Sequence, residues 1–231
     1  MLTLSRKVGE SLRIGADIRV IVRAIRGHQV QISIEAPTEI GVYRSEIYEA
    51  IRHANLAAAN PGTAATNTVA QTTPPEGGTG GEAMKKLTKI DTSRFGSIEV
   101  PEDSIVEFPE GLVGLHDYRR FVLIDRPNSP MRWMQSMEMP ELAFLVADPQ
   151  MFVSDYRAEV AATELETLGD TDQESLAVGV ICTVPGNPAD ATVNLRAPLV
   201  VDIRSRRGKQ VVLTDSEYGI HHPWALQQAA A

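Results

Sequence analysis

Met1-Leu-Thr-Leu-Ser-Arg-Lys7 opens the chain, and its reading decides how the first sixty residues fold. Leu2 and Leu4 alternate with Thr3 and Ser5, the two-residue period of a half-buried strand, and two cations close it. A strand in this place has no earlier segment to pair with. Its ladder is expected from residues downstream or from another chain.

Working outward, Val8-Gly9-Glu10 is a turn and Ser11-Leu-Arg-Ile14 alternates again. Ile18 to Ile25 is a β-branched strand, Arg26-Gly-His28 a hairpin connection, and Gln29 to Ile34 the return, with Val30, Ile32 and Ile34 on one face. Gly41-Val-Tyr-Arg44 is a fifth short strand. Ser45 is placed to cap a helix, in which Ile47, Tyr48, Ile51 and Ala54 recur at helical spacing. So small a unit buries little apolar surface, and it has no disulfide framework or metal cluster to compensate. A dimer that shares strands would give the first strand a partner and double the core.

These pieces (M-L-x-L-S-R-K-V-G-E-S, I-G-x-x-I-x-V, G-x-Q-V-x-I-x-I-x-A-P and V-x-R-x-E-I-Y) resemble the carbon storage regulator (CsrA) family of RNA-binding proteins. The resemblance implies an intertwined homodimer whose first and fifth strands come from different subunits, each composite edge taking a GGA-containing mRNA leader. It assigns RNA contacts to Leu4 and Arg6 on the first strand and to Val42 and Arg44 on the fifth, flanked by Thr3, Lys7 and the Ala36-Pro37 backbone. Tyr43 stands where the family often has His, and its ring can still stack on a base. Arg6 and Arg44 each offer a planar fork suited to phosphate or a guanine edge.

Residues 57–83 carry two Glu and no basic residue, and include Thr72-Thr-Pro-Pro75 and Gly77-Gly-Thr-Gly-Gly81. With no apolar period, this reads as a flexible tether with a root-mean-square reach of roughly 25–30 Å. Met84-Lys-Lys-Leu87 resembles a second protein start, as if two genes had been joined by nature or by design. The expected organisation is therefore an RNA-binding dimerisation domain at 1–59, a linker at 60–86, a second domain at 87–224 and a tail at 225–231.

Charge divides along the same lines. The net charge of -8 conceals a net +2 over residues 1–56 and a net -8 over residues 84–231. A mildly basic head on an acidic body allows the body to attract the head or to compete with a polyanion for it. The single cysteine, Cys182, lies in an apolar run and reads as a buried thiol of a cytoplasmic protein. No signal peptide is expected, and no apolar run approaches the ~18 residues of a membrane span.

In the body, strands are expected at 95–100, 105–108, 121–124, 142–146, 176–184, 192–195, 199–203 and 210–213, with a turn at 206–208 and a short helix at 164–168. About ten strands and little helix point to an antiparallel, barrel-like β domain. Catalytic content is thin. Gly111-Leu-Val-Gly114 lacks the Lys-Ser/Thr of a phosphate loop, and His221-His222 has no carboxylate cluster nearby. No acid–base constellation, cofactor or metal is implied, which favours a binding module over an enzyme.

The blocks F-G-S-I-E-V, I-V-E-F-P-E-G-L-V-G-L, W-M-Q-S-M-E, A-F-L-V-A-D-P, T-V-N-L-R-A-P-L-V and R-x-G-x-Q-V-V-L resemble the flagellar assembly factor FliW family. That resemblance implies two partners, flagellin and the carbon storage regulator, whose RNA binding the family antagonises. It places the antagonist contact on the helix, at Glu46, Ile47, Ile51, Asn55 and Leu56. On the body side, Glu138, Asp148 and Glu217 are exposed-looking candidates.

The sequence thus describes a mainly all-β chain: a five-stranded domain with a C-terminal helix forming a strand-exchanged dimer, tied to an antiparallel barrel. The function expected is translational control of GGA-bearing messages by a regulator that carries its own antagonist. The alternative is a flagellar chaperone whose N-terminal domain serves only dimerisation.

Overall fold

The computed structural model describes residues 1–37, 40–59, 86–126, 129–169, 171–214 and 216–224. The expected tail and, apart from Lys86, the expected linker lie outside them. The chain divides into two compact units, Met1–Tyr43 and Arg44–Ala231.

The first unit is an antiparallel sheet of β1 (Ser11–Ile14), β2 (Ile18–Arg26) and β3 (Gln29–Glu35), in that order. Its register pairs Ser11 with Ile21 and Val20 with Ile34, and a bulge between Val22 and Ala24 breaks the β2–β3 ladder. Among the described residues Met1–Lys7 and Gly41–Arg44 join no ladder, so three of the five expected strands are paired here. Beyond the sheet, Gly9 N donates to Val22 O and Val22 N to Glu10 O. Val30, Ile32 and Ile34 share one face of β3, and each is at least 40 % exposed.

The second unit starts with helix α1 (Ser45–Ala58). Ser45 is its first helical residue and not its cap: Arg44 takes the cap position with extended backbone, and no side chain caps the helix. After α1 come the hairpin β4 (Leu87–Thr92) and β5 (Gly96–Pro101), then β6 (Ile105–Glu107), β7 (Arg120–Asp125), β8 (Arg132–Ser136) and β9 (Ala143–Ala147). Helix α2 (Ala162–Leu165) precedes β10 (Leu176–Thr183), β11 (Thr192–Val193), β12 (Leu199–Asp202), β13 (Arg207–Gln210) and β14 (His222–Pro223).

The large sheet runs β12-β13-β6-β7-β8-β9-β10-β11-β14, and β10 also pairs with β12. That second pairing, from Leu176↔Asp202 to Gly179↔Leu199, closes seven strands into a barrel. Every ladder is antiparallel except β13–β6, which is parallel.

Strand β9 is buried along its whole length because alternate residues serve two cores. Phe144 and Val146 pack with Phe108, Phe121, Met134, Ile181 and Leu199. Ala143, Leu145 and Ala147 pack on the other side with Trp133, Val180, Cys182 and Leu195. Cys182 is fully buried, and burial pushes its thiol pKa up to about 12, as befits a packing residue.

Three strands of the body escape sequence patterning: β4, β8 and the short β14. The expected strand at 210–213 lies three residues earlier, at Arg207–Gln210, and the turn falls at 203–206 instead of 206–208. Asp202 sets that turn. Its carboxylate accepts hydrogen bonds from Ser205 Oγ at 2.7 Å and Arg204 N at 3.0 Å, and Arg206 follows with φ 57°. Among the described residues no helix is long and apolar enough to cross a membrane, and no group of three or more His, Cys, Asp or Glu is placed to hold a metal.

Two outcomes follow. A Cβ on Gly208 would stand 2.7 Å from the buried Phe108 ring, whereas on Gly179 the nearest neighbour is Ala147 O at 3.8 Å. Gly208→Ala is expected to destabilise the barrel by about 1–3 kcal/mol in urea melts, and Gly179→Ala to shift it by less than about 0.5 kcal/mol. The Ser205 hydroxyl, then the Arg204 backbone N–H, hold the Asp202 pKa down at about 2. A carboxylate depressed in the folded state stabilises above its unfolded pKa of about 3.9, and that contribution is lost as pH falls toward 2. Urea melts between about pH 5 and pH 2 should therefore lose a pH-dependent component in Asp202→Asn.

Candidate functional site

The second unit contains a helix seated on its barrel, and the seat is built from residues far apart in sequence. In α1, Ile51, Ala54, Asn55 and Ala58 are buried, the i, i+3, i+4, i+7 stripe of one helical face. Ala58 and Ala59 reach the aromatic core of Phe108, Phe121 and Phe144, where a larger side chain would meet packed rings.

Asn55 is fully buried and fully bonded. Its Nδ2 donates to Val113 O at 2.9 Å and to Gln210 Oε1 at 2.8 Å. Gln210 Nε2 returns a bond to Asn55 Oδ1 at 3.2 Å and donates another to Ala197 O at 3.3 Å. Val113 N completes the set by donating to Gln210 Oε1 at 3.0 Å. All four amide hydrogens of the pair thus have acceptors, as buried polar groups require.

The loop between β6 and β7 forms the rest of the seat. Gly114, at φ +78°, lies directly under the helix: a Cβ there would fall 2.3 Å from Arg52 Cγ. His116 Nδ1 lies 3.0 Å from Glu110 O, which can only accept, so Nδ1 donates there, and Nε2 shares a hydrogen bond with Tyr48 Oη at 3.0 Å. Behind the loop, Lys209 is buried and bridges Glu164 at 2.8 Å and Glu110 at 3.2 Å. Burial works to lower the Lys209 pKa, but the hydrogen bond and charge of Glu164, with Glu110, outweigh it, and the pKa lies above its ordinary value.

Of the helix residues expected to meet the antagonist, Ile51 and Asn55 face the barrel, Ile47 is half-buried, and Glu46 and Leu56 are exposed. Two of the three body-side candidates have partners within the barrel domain. Glu138 pairs with Arg120 at 2.9 Å, Asp148 accepts from Gln150 N at 2.8 Å, and Glu217 is exposed. The residues that do build the seat, Val113, Gly114, His116 and Gln210, were missed. The one available signal was the glycine pair at 111 and 114, which reads as a turn without a purpose.

The residues expected to touch RNA are accessible. Thr3, Leu4, Arg6, Lys7 and Val42 are exposed, while Ala36, Pro37 and Tyr43 are half-buried. Arg6 donates from Nε to Ser11 O at 3.2 Å and from Nη1 to Ser5 O at 3.0 Å. Lys7 N donates to Glu10 Oε2 at 2.8 Å. Arg44, exposed at the start of α1, donates from Nη1 to Thr214 O at 3.3 Å.

Comparison with known proteins finds two families in the chain, with a boundary that differs from that of the compact units. Residues 1–53 match the model of the CsrA global regulator protein family, and residues 89–224 match that of the FliW protein. Flagellar assembly factor FliW of Bdellovibrio bacteriovorus is 41 % identical over 135 residues, covering 58 % of this chain and 77 % of that protein. Its counterpart in Geobacter sulfurreducens is 38 % identical over 141 residues, covering 61 % and 88 %. A crystal structure of flagellar assembly factor FliW superposes with a TM-score of 0.55 at 34 % identity, covering 59 % of this chain and 96 % of that one. The CsrA match runs to residue 53, well into α1 (Ser45–Ala58), so the helix on the barrel continues the regulator segment. The chain belongs to the FliW family and carries a CsrA-family domain fused ahead of its barrel.

Proposed function

We propose that this chain is a translational regulator with a built-in antagonist: a CsrA-like domain that binds GGA-containing mRNA leaders, restrained by the FliW-like barrel on the same chain. The observation that carries this reading is the seat of α1. The helix that continues the regulator segment is held on the barrel by the reciprocal Asn55–Gln210 pair and by buried Ile51, Ala54 and Ala58. A seat so fully satisfied is an interface in its own right.

The RNA-binding unit in this reading is a cytoplasmic homodimer formed through residues 1–59. Leu2 is 81 % exposed and the Val30-Ile32-Ile34 row is uncovered in the single chain, which supports a partner that covers them. The composite edge is Thr3, Leu4, Arg6 and Lys7 of one subunit with Ala36, Pro37, Val42, Tyr43 and Arg44. Flagellin is the second partner. By occupying the barrel it would release the helix, coupling message control to filament supply.

The test uses the full chain and a hairpin RNA with a GGA loop. Asn55→Ala leaves Val113 O and the Gln210 amide short of partners, a loss of about 1–3 kcal/mol at a buried site. It is expected to raise RNA affinity roughly 5- to 30-fold by freeing the helix, and flagellin added to the unaltered chain should act in the same direction. A negative slope of affinity against salt is expected from the phosphate contacts. Equal affinity of Asn55→Ala and the unaltered chain would end the case for restraint in cis. No RNA binding by either would favour the chaperone.

A further inference from the structure

We propose that the barrel is a receptor for one uncharged, apolar small molecule, held in the part of its lumen that α1 does not fill. The proposal concerns the barrel alone and does not rest on the RNA reading.

A cavity of about 480 Å³ opens among six of the seven barrel strands. Val106, Phe121, Met134, Val146, Gly179 and Leu199 line it, one each from β6, β7, β8, β9, β10 and β12. The ladders put these residues on the inward face: Val106 pairs with Phe121 and Gly179 with Leu199, and partners across a ladder point the same way. All but Gly179 belong to the packed core that also takes Ala58 and Ala59 of α1. On β9, Phe144 packs in that core, and the next inward residue, Val146, lines the cavity as well. The cavity is thus the stretch of lumen beyond the helix.

Three features select the occupant. The first is size. An apolar cavity of about 150 Å³ takes benzene, so this one suits roughly ten to twenty non-hydrogen atoms. A helix, about 10–12 Å across with its side chains, does not enter a barrel of fewer than eight strands. The second is charge. The six wall residues carry none, and among the described residues at the mouth Asp103 and Asp148 balance Arg132 and Arg206. Asp148 also accepts from Gln150 N, and Arg132 pairs with Asp125 at 2.8 Å. A mouth without net charge gives no preference to an ion. The third is Gly179. It lies within β10 without a positive φ, and the nearest neighbour of a Cβ there would be Ala147 O at 3.8 Å. Neither backbone nor packing calls for glycine, which weakens a strand; what its bareness leaves is room in the lumen.

Titration of the full chain with 1-decanol, followed by methyl and amide NMR, tests this. Saturable binding at one site per chain is expected, moving the Met134 methyl and the Val146, Gly179 and Leu199 signals while the exposed Val30-Ile32-Ile34 row stays still. Decanoate and decyltrimethylammonium, which carry the same chain with either charge, should bind at least about 5-fold more weakly. Gly179→Val, which extends a side chain into the cavity, should weaken decanol binding at least about 10-fold, and Ala177→Leu at the mouth should do so by a smaller factor. Absence of saturable binding, shifts confined to other residues, or unchanged affinity in both folded variants overturns the proposal; the shift map decides it even where a variant fails to fold. Tighter binding of either ion overturns the uncharged class. If decanol does not bind yet Gly179→Val weakens flagellin binding, the mouth takes a protein side chain and the proposal falls.

Discussion

The second unit turns on two side-chain amides that bond to each other out of reach of water. Asn55 and Gln210 are each at most 3 % exposed, and each uses both amide hydrogens. An amide buried without partners is costly, so neither residue is comfortable alone. Apolar burial of Ile51, Ala54 and Ala58 supplies attraction between helix and barrel, but attraction of that kind is non-directional and tolerates sliding. The amide pair does not, because a shift of one residue along the helix would strand three of its four donors. The pair therefore sets the register of α1, and with it the position of every residue the helix carries.

The rest of the unit keeps that pair in place. Gln210 ends β13, whose ladder with β12 lies beside the β10–β12 pairing that closes the barrel. Its neighbour Lys209 points the other way and ties α2 to the β6–β7 loop through Glu164 and Glu110. That loop delivers Val113 to Asn55, Gly114 to Arg52 and His116 to Tyr48. Removing one partner from such a buried ionic bridge leaves an uncompensated charge, so the bridge is better understood as holding geometry than as adding stability.

How much of this was readable from sequence depends on whether a signal is local. β1, β2 and β3 follow from alternation and turn residues within a few positions of each other. β9 and β10 were found as continuous apolar runs because both of their faces meet a core. β8 was missed because its buried stretch includes the polar residues Gln135 and Ser136, whose Nε2 and Oγ bond locally and which do not look apolar. β4 was missed because Lys89 and Asp91 lie on its exposed face. The strand drawn at 210–213 was placed too late because Val211-Val-Leu213 is the most apolar part of that region, while the ladder includes Gly208 and Lys209. Gly208 belongs there because only a bare Cα fits beside Phe108, a fact about packing that no β propensity records.

The sequence by itself determined that two families share the chain, since their matches rest on ordered blocks and local periodicity. It also marked α1 as amphipathic. Only the tertiary structure decided what that helix faces. Val113, His116, Thr214 and Gln210 are separated from it by up to 170 positions in the chain, and each is an ordinary residue in its own neighbourhood. Hydrogen-bond complementarity is a property of the pair, and the pair exists only once the barrel has closed and brought the two segments together.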